Sequence, residues 1–190
     1  MRLGIAHHYG WAVAVTADDH HQVIDRRRIE LLEPDLPAAP IHHHGGQHEL
    51  HRTGEPPSDE ELAALVATVR ASAERASSAS LDELAADLPA PIRTLSLRAW
   101  PADFPTDIAT LRRAPYESSA DSVMYRQVLA DLGRQRGWEI HRFEANEVER
   151  EAARLLADRA DEVLHGPRSR LGAPWNRDHR MALAATVVLG

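Results

Sequence analysis

The chain has 190 residues, no Cys, 29 acidic residues, 22 basic residues and a formal net charge of −7. Its length predicts one domain over residues 1–190 with a buried core, and the lack of Cys excludes disulfides, thiolate metal sites and a Cys nucleophile. No run of about 18 apolar residues occurs and no apolar stretch follows a basic flank, so we expect no membrane span, no signal peptide and a cytoplasmic location.

The basic residues are all Arg and Ala is abundant, a composition typical of GC-rich bacterial genomes. The acidic net charge argues against a protein that coats nucleic acid, because such proteins bind phosphates through a broadly basic surface. Local contacts with phosphate stay open at four short Arg clusters, although solvated arginines on acidic faces explain them more simply. The clusters are Arg26–Arg28, Arg112–Arg113, Arg134–Arg136 and Arg168–Arg170.

The first 32 residues are predicted to form three consecutive antiparallel strands. Within residues 2–15, the apolar runs LGIA and WAVAV flank the polar residues His7 and His8, a pattern typical of a tight β-hairpin. Residues 21–32 alternate well enough for a third strand, and residues 18–20 form a polar turn before it.

A long loop is predicted over residues 33–57, which hold five Pro, three Gly and five of the twelve His. Loops of this length are usually functional or mobile. The segment IHHHGGQHELH within it resembles no zinc motif, but His44, His48 and His51 share one face if it turns helical. A surface loop with incidental affinity for nickel or zinc is the simpler interpretation.

Helices and strands are predicted to alternate through the rest of the chain. Ser58 and Glu61 form a capping box that begins an apolar stripe with helical spacing. Asn176 is expected to cap a last helix, MALAATVVL, whose apolar residues on every side predict a buried position. The elements between them are a short helical continuation (80–88), a strand (92–100), an irregular connector (101–115), a helix (119–136) ended by Gly137, a strand (138–143), a helix capped by Asn146 that runs to Leu164, and a loop (167–175).

This succession predicts an α/β fold with a five-stranded mixed sheet, three antiparallel strands followed by two parallel ones, and helices on both faces. Such a succession resembles the ribonuclease H-like superfamily, most closely its Holliday junction resolvase branch. The opening GIAHHYGWAVAV is similar to the GID and GWAV pattern of the resolvase hairpin. The segment DHRMALAATVV is similar to the last resolvase helix, which bears an Asp before small residues, here Asp178.

The resemblance implies a nuclease whose three or four carboxylates hold two divalent cations, and the sequence departs from that pattern. Ala6 occupies the position of the central carboxylate, and the fourth strand, IRTLSLRAW, contains no acid before Asp103 beyond its end. A surviving metal site must therefore use other ligands, and we expect them among His7, His8, Asp178 and His179. Imidazole ligands favour Mn or Zn over Mg, and adjacent His residues on a strand point to opposite faces. A polar hairpin corner explains the His pair equally well.

Other candidate residues flank this site. Asp103 is the best available additional catalytic acid beside Asp178, while Asp107 fits an ordinary helix cap. Arg177 and Arg180 would face phosphate if the last helix approaches nucleic acid. Asp178 itself lies in the predicted first turn of a helix, where the helix dipole alone favours a carboxylate.

The sequence contains no GxGxxG or GxxxxGK[ST] loop and no GxSxG elbow, which argues against a nucleotide cofactor and a serine hydrolase. Two hypotheses follow. The first is a protein that acts on or binds structured nucleic acid, either with a remodelled His/Asp centre for Mn, Zn or Mg or without catalysis. The second is a noncatalytic scaffold or interaction protein of the same fold. This hypothesis includes a homodimer formed through the edge of the sheet.

Overall fold

The computed structural model describes residues 1–45 and 55–188 and contains one five-stranded mixed sheet. The strand order is β3-β2-β1-β4-β5, in which β1, β2 and β3 are antiparallel and β4 and β5 run parallel to β1. The strands are β1 (Arg2–His7), β2 (Trp11–Ala17), β3 (Val23–Glu30), β4 (Thr94–Arg98) and β5 (Glu139–Phe143). The predicted α/β class and mixed sheet are confirmed.

The helices follow the strands on both faces of the sheet. They are α1 (Asp59–Asp87), α2 (Ile108–Leu111), α3 (Glu117–Gln135), α4 (Val148–Leu156), α5 (Ala160–Leu164), α6 (Pro167–Leu171) and α7 (Arg177–Val187). Helices α1 and α3 cover one face, and α4 and α7 cover the other. Among the described residues, no helix has the length and apolar character needed to cross a membrane.

Alternation along β1 sends its side chains to two separate cores. Leu3 and Ile5 pack in the cluster that contains residues of α1 and α3, whereas Ala6 packs in the cluster of α4 and α7. Since side chains alternate along a strand, His7 lies on the α3 face, as its neighbours below confirm. Gly4 lets α7 contact β1 directly, because a Cβ there would lie 1.9 Å from the carbonyl oxygen of Ala182.

Two predicted helix starts are confirmed by their caps. The Ser58 side chain accepts a hydrogen bond from the Glu61 backbone N–H, and the Glu61 side chain bonds back to the Ser58 backbone. The Asn176 side chain accepts from the backbone N–H groups of Asp178 and His179, and α7 is buried from Ala182 to Val187. Both caps satisfy backbone donors that the first turn of a helix leaves without a partner.

Several predicted boundaries are wrong. Helix α1 continues without a break through residues 74–79, because small residues such as Ser72 and Ser77 are buried along it. The predicted single helix from Asn146 to Leu164 is divided into α4, a 3-10 turn and α5, and Asn146 is not its cap. Two segments expected to be irregular contain the short helices α2 and α6, and a π-helical segment, Pro40–Gly45, forms within the predicted loop.

Candidate cationic cavity at the sheet edge

A cavity of about 310 Å³ lies where β1 and β4 end and α3 begins. Its lining combines two guanidinium groups, two imidazoles, a phenol and three hydroxyls. The lining residues are His7, His8, Tyr9, Arg98, Ser118, Ser119, Ser122 and Arg126. Loops at the carboxyl ends of parallel strands are the usual place for a ligand in an open α/β sheet.

Arg126 forms the inner wall of the cavity and is only 4% exposed. Its Nη1 donates to the carbonyl oxygen of Ala99 at 2.5 Å, its Nε to the carbonyl oxygen of Ser122, and its Nη2 to the Ser122 hydroxyl. These bonds occupy three of the five guanidinium N–H groups. Two donors are therefore left on a side chain whose position is already fixed.

Charge compensation at Arg126 is weak for a buried cation. No described carboxylate lies within ion-pair distance of it, although Glu144 raises its pKa from further away. Desolvation is the largest effect, and together with the neighbouring charge of Arg98 it lowers the pKa of Arg126 to about 10. A buried charge without a counter-ion costs free energy, so the cavity favours an anion.

His7 lies beside these arginines as a neutral imidazole. Burial is the main cause that lowers its pKa from 6.5 to about 3, and the positive charges of Arg126, Arg98 and His8 lower it further. A backbone hydrogen bond with Ser122 opposes the shift. At neutral pH the imidazole carries no charge, and its one N–H donor is used in the bond to Ser122.

The mouth of the cavity is formed by the exposed residues Arg98 and Ser118. Arg98 has no hydrogen bond or ion pair to any described residue. Ser118, Ser119 and Ser122 occupy the first two turns of α3, each with its hydroxyl on the backbone carbonyl three residues earlier. The positive end of the dipole of this 19-residue helix adds to the field of the arginines.

Two of the four predicted metal ligands, His8 and Asp178, come together. His8 Nε2 and Asp178 Oδ2 lie 3.1 Å apart, and the His8 ring stacks on Trp11 with centroids 4.0 Å apart. His7 faces α3 on the other side of the sheet. The Nδ1 atom of His179 lies 2.7 Å from the Asn176 side-chain oxygen at the start of α7.

A two-metal centre does not fit these residues. Within the described ranges, no group of three His, Asp or Glu side chains is close enough to hold a metal ion. The register of β1 and β4, which pairs Gly4 with Ser96, places Arg98 beside Ala6 when it is continued by two residues. The positive charge of the Arg98 guanidinium would repel a divalent cation at this end of the two strands.

The other predicted site residues lie apart from the cavity. Asp103 is exposed in the turn after β4, and Asp107 accepts from the Thr110 N–H as the cap of α2. Arg177 is exposed in the first turn of α7. Arg180 Nε donates to Glu149 Oε2 at 3.2 Å, so its charge is already paired within the protein.

Part of the His-rich segment lies near the cavity. The rings of His42 and His43 have centroids 6.4 and 6.2 Å from the Tyr9 ring. Two of the predicted ligands on this segment, His48 and His51, lie outside the described residues.

Sequence reasoning missed Arg98, Arg126 and the three serines. The spacing of Ser119, Ser122 and Arg126 was the available signal, because residues three and four apart share one face of a helix. Arg98 carried no such signal, since its role depends on strand pairing with β1.

No protein-family model matches this chain, and no curated protein has significant sequence similarity to it.

Proposed function

We propose that this chain is a ribonuclease H-like protein that binds structured nucleic acid at the carboxyl edge of its sheet without two-metal cleavage. The observation that carries the proposal is the cavity itself. Arg98 and the buried Arg126 lie at the ends of β1 and β4 without carboxylate partners among the described residues. Arginine is the preferred partner of phosphate because its planar fork donates two parallel hydrogen bonds.

The ribonuclease H-like part of the proposal is supported by the sheet. Three antiparallel strands are followed by two parallel strands, each reached through a helix, and a last helix with Asp178 in its first turn covers β1. This is the succession on which the sequence resemblance rests. The resemblance accounts for a phosphate-binding site at this edge, because nucleases of that superfamily bind the nucleic-acid backbone beside their metal ions there.

The described ligand set supports the part of the proposal that excludes two-metal cleavage. Two-metal cleavage needs carboxylates that neutralise both cations and position the attacking water. Here Asp178 bonds to His8, and the β1–β4 register continued beyond Gly4 and Ser96 places Arg98 next to Ala6. A guanidinium in place of a carboxylate weakens a cation site and strengthens an anion site.

The test combines a binding and a cleavage assay on single-stranded DNA, duplex DNA, a four-way junction and RNA. We expect measurable binding that weakens in Arg98→Gln, and no cleavage with Mg, Mn or Zn. Asp178→Asn is the matched variant for a rebuilt metal centre. Metal-dependent cleavage that disappears in this variant would overturn the noncatalytic part of the proposal.

The alternative outcome of the same test is a scaffold. The net charge of −7 favours an interaction protein over a nucleic-acid binder. If no nucleic acid binds at low salt, the proposal fails and the scaffold function takes its place. The oligomeric state should then be measured, since β3 and β5 are the edge strands through which dimers can form.

A further inference from the structure

We propose that the cavity lined by Arg98, Arg126 and the serines of α3 binds a terminal phosphomonoester, the phosphate at the end of a chain or of a small molecule. This inference rests on the proposed function for its macromolecular source, a nucleic-acid end. The cavity chemistry alone points to the phosphate.

The charge of the site matches a phosphomonoester better than a phosphodiester. A phosphomonoester carries nearly two negative charges at neutral pH because its second pKa is about 6, whereas a diester carries one. The two guanidinium groups in the lining have no described ion-pair partner. The two charges of a monoester would balance both of them.

The carboxylates around the cavity leave this balance intact. Asp178 lies 3.1 Å from His8, and the Asp121 carboxylate accepts from the backbone N–H groups of Ile41 and His42. Glu144 acts on Arg126 only at a distance, and Glu117 begins α3 without lining the cavity. None of the four acids therefore neutralises the guanidinium groups by direct pairing.

Hydrogen-bond donors are present at several depths. Arg126 retains two N–H groups at the inner wall, and Arg98 retains all five at the mouth. The hydroxyls of Ser119 and Ser122 now donate to backbone carbonyls, and rotation about Cβ–Oγ turns them toward a ligand. A terminal phosphate has three oxygens free to accept from these groups, and an internal phosphate has two.

The shape of the cavity favours an end over the middle of a chain. Its volume of about 310 Å³ is at the small end of the range for ligand sites, which is about 300–1,000 Å³. Arg126 closes the inner side, while the exposed lining residues Arg98 and Ser118 mark one mouth. An internal phosphate has a nucleotide on each side, so a terminal phosphate can approach the inner wall at Arg126 with less steric hindrance.

Equilibrium binding to a short single-stranded DNA in matched forms tests the proposal. The forms are 5′-phosphorylated, 3′-phosphorylated, hydroxyl at both ends, and circular, and inorganic phosphate and ribose 5-phosphate serve as competitors. We expect at least one phosphorylated end to bind about 10-fold tighter than the hydroxyl form. Inorganic phosphate should remove this preference without displacing the hydroxyl form.

Two variants locate the preference in the cavity. Arg98→Gln alters an exposed side chain without described partners, so the fold is expected to persist, and the phosphate preference should fall to about 3-fold or less. Arg154→Gln, at an exposed position of α4 outside the cavity, is the matched control and should retain the preference. Arg126→Gln should abolish the preference, with circular dichroism checking that the variant is folded.

The outcomes separate this proposal from the proposed function. Equal binding of phosphorylated, hydroxyl and circular forms would overturn the terminal-phosphate site while leaving nucleic-acid binding intact. Binding of ribose 5-phosphate without binding of any oligonucleotide would support the site and overturn the nucleic-acid function. No binding of any of these probes overturns both.

Discussion

At the scale of single residues, two adjacent histidines have opposite environments because they leave β1 in different directions. His7 is held neutral between burial and the charges of Arg126 and Arg98. His8 stacks on Trp11 and contacts Asp178 at the start of α7. His7 thus lies against the arginines of the cationic cavity, whereas His8 contacts the helix on the other face of the sheet. Each imidazole can be tested by its own substitution.

His7 should make the protein less stable in acid. Its pKa is lowered from 6.5 to about 3 in the folded state, so between these values the unfolded chain binds a proton that the folded chain excludes. The contribution of His7 to the free energy of unfolding therefore falls as pH decreases from about 6.5, by up to about 1.4 kcal/mol per pH unit. Urea unfolding at pH 7, 6 and 5 should show a shallower decline for His7→Gln than for the wild type. Parallel curves would contradict the assigned environment of His7.

At the scale of elements, the segment Pro40–Gly45 is held to α3 by a buried carboxylate. Asp121 accepts from the N–H groups of Ile41 and His42 at 3.2 and 2.8 Å, and desolvation raises its pKa to about 6 despite these bonds. The Tyr125 hydroxyl donates to the carbonyl oxygen of Ala38 just before this segment. Helix α3 thus positions the described start of the His-rich region near the cavity.

Asp121→Ala should release this segment locally. Removal of the carboxylate leaves two backbone donors without an acceptor, a loss of about 1–3 kcal/mol. We expect the amide protons of Ile41 and His42 to exchange about 10-fold faster, as measured by hydrogen exchange and NMR. Asp107→Ala removes the cap of α2 instead and serves as the control, since the Asp107 carboxylate accepts from the Thr110 N–H. Unchanged exchange in Asp121→Ala would show that other contacts hold the segment.

The close approach of α7 to β1 depends on Gly4. An added methyl group would lie 1.9 Å from the Ala182 carbonyl oxygen, which is backbone and cannot yield without moving the helix. At Gly133 the atoms closest to an added methyl group are side-chain ends, Ile140 Cδ1 at 2.8 Å and Leu95 Cδ2 at 2.9 Å. The two positions therefore form a matched pair.

Gly4→Ala should lower the free energy of unfolding by about 3 kcal/mol or more, the upper range for overpacking. Gly133→Ala should cost less than about 1 kcal/mol, because side chains shift and alanine favours the helix. Urea midpoints with constant slope measure both effects. Equal losses at the two positions would contradict the contact between α7 and β1.

The features that were predicted correctly from the sequence depend on interactions within one helical turn. The features that were missed depend on tertiary contacts. The capping box of Ser58 and Glu61 and the cap by Asn176 depend on residues within one helical turn, and both are confirmed. The continuity of α1 past Ser77 depends on burial against distant elements, which no local pattern shows. The cavity is a case of the second kind, since Arg98 and Arg126 meet only through strand pairing and helix packing.

At the scale of the whole molecule, a net charge of −7 surrounds a small cationic cavity. Many other arginines are already paired with acids, as in the contacts of Arg27 with Asp25, Arg136 with Asp82 and Arg180 with Glu149. The overall field therefore repels a polyanion, while the sheet edge attracts a single anionic group. We therefore expect the protein to contact nucleic acid at one point and not along its length.

The salt dependence of binding measures how many phosphates the protein neutralises. Each neutralised phosphate contributes about −0.7 for single strands and about −0.9 for duplexes to the slope of log K against log salt. With Arg98 and Arg126 as contacts, we expect a slope of about −1.4 to −1.8 from fluorescence anisotropy over a series of salt concentrations. Arg98→Gln should make the slope shallower by about 1, and Arg154→Gln should leave it unchanged. A slope of about −6 or steeper would mean that a broad basic surface coats the nucleic acid, which the charge distribution of this chain contradicts.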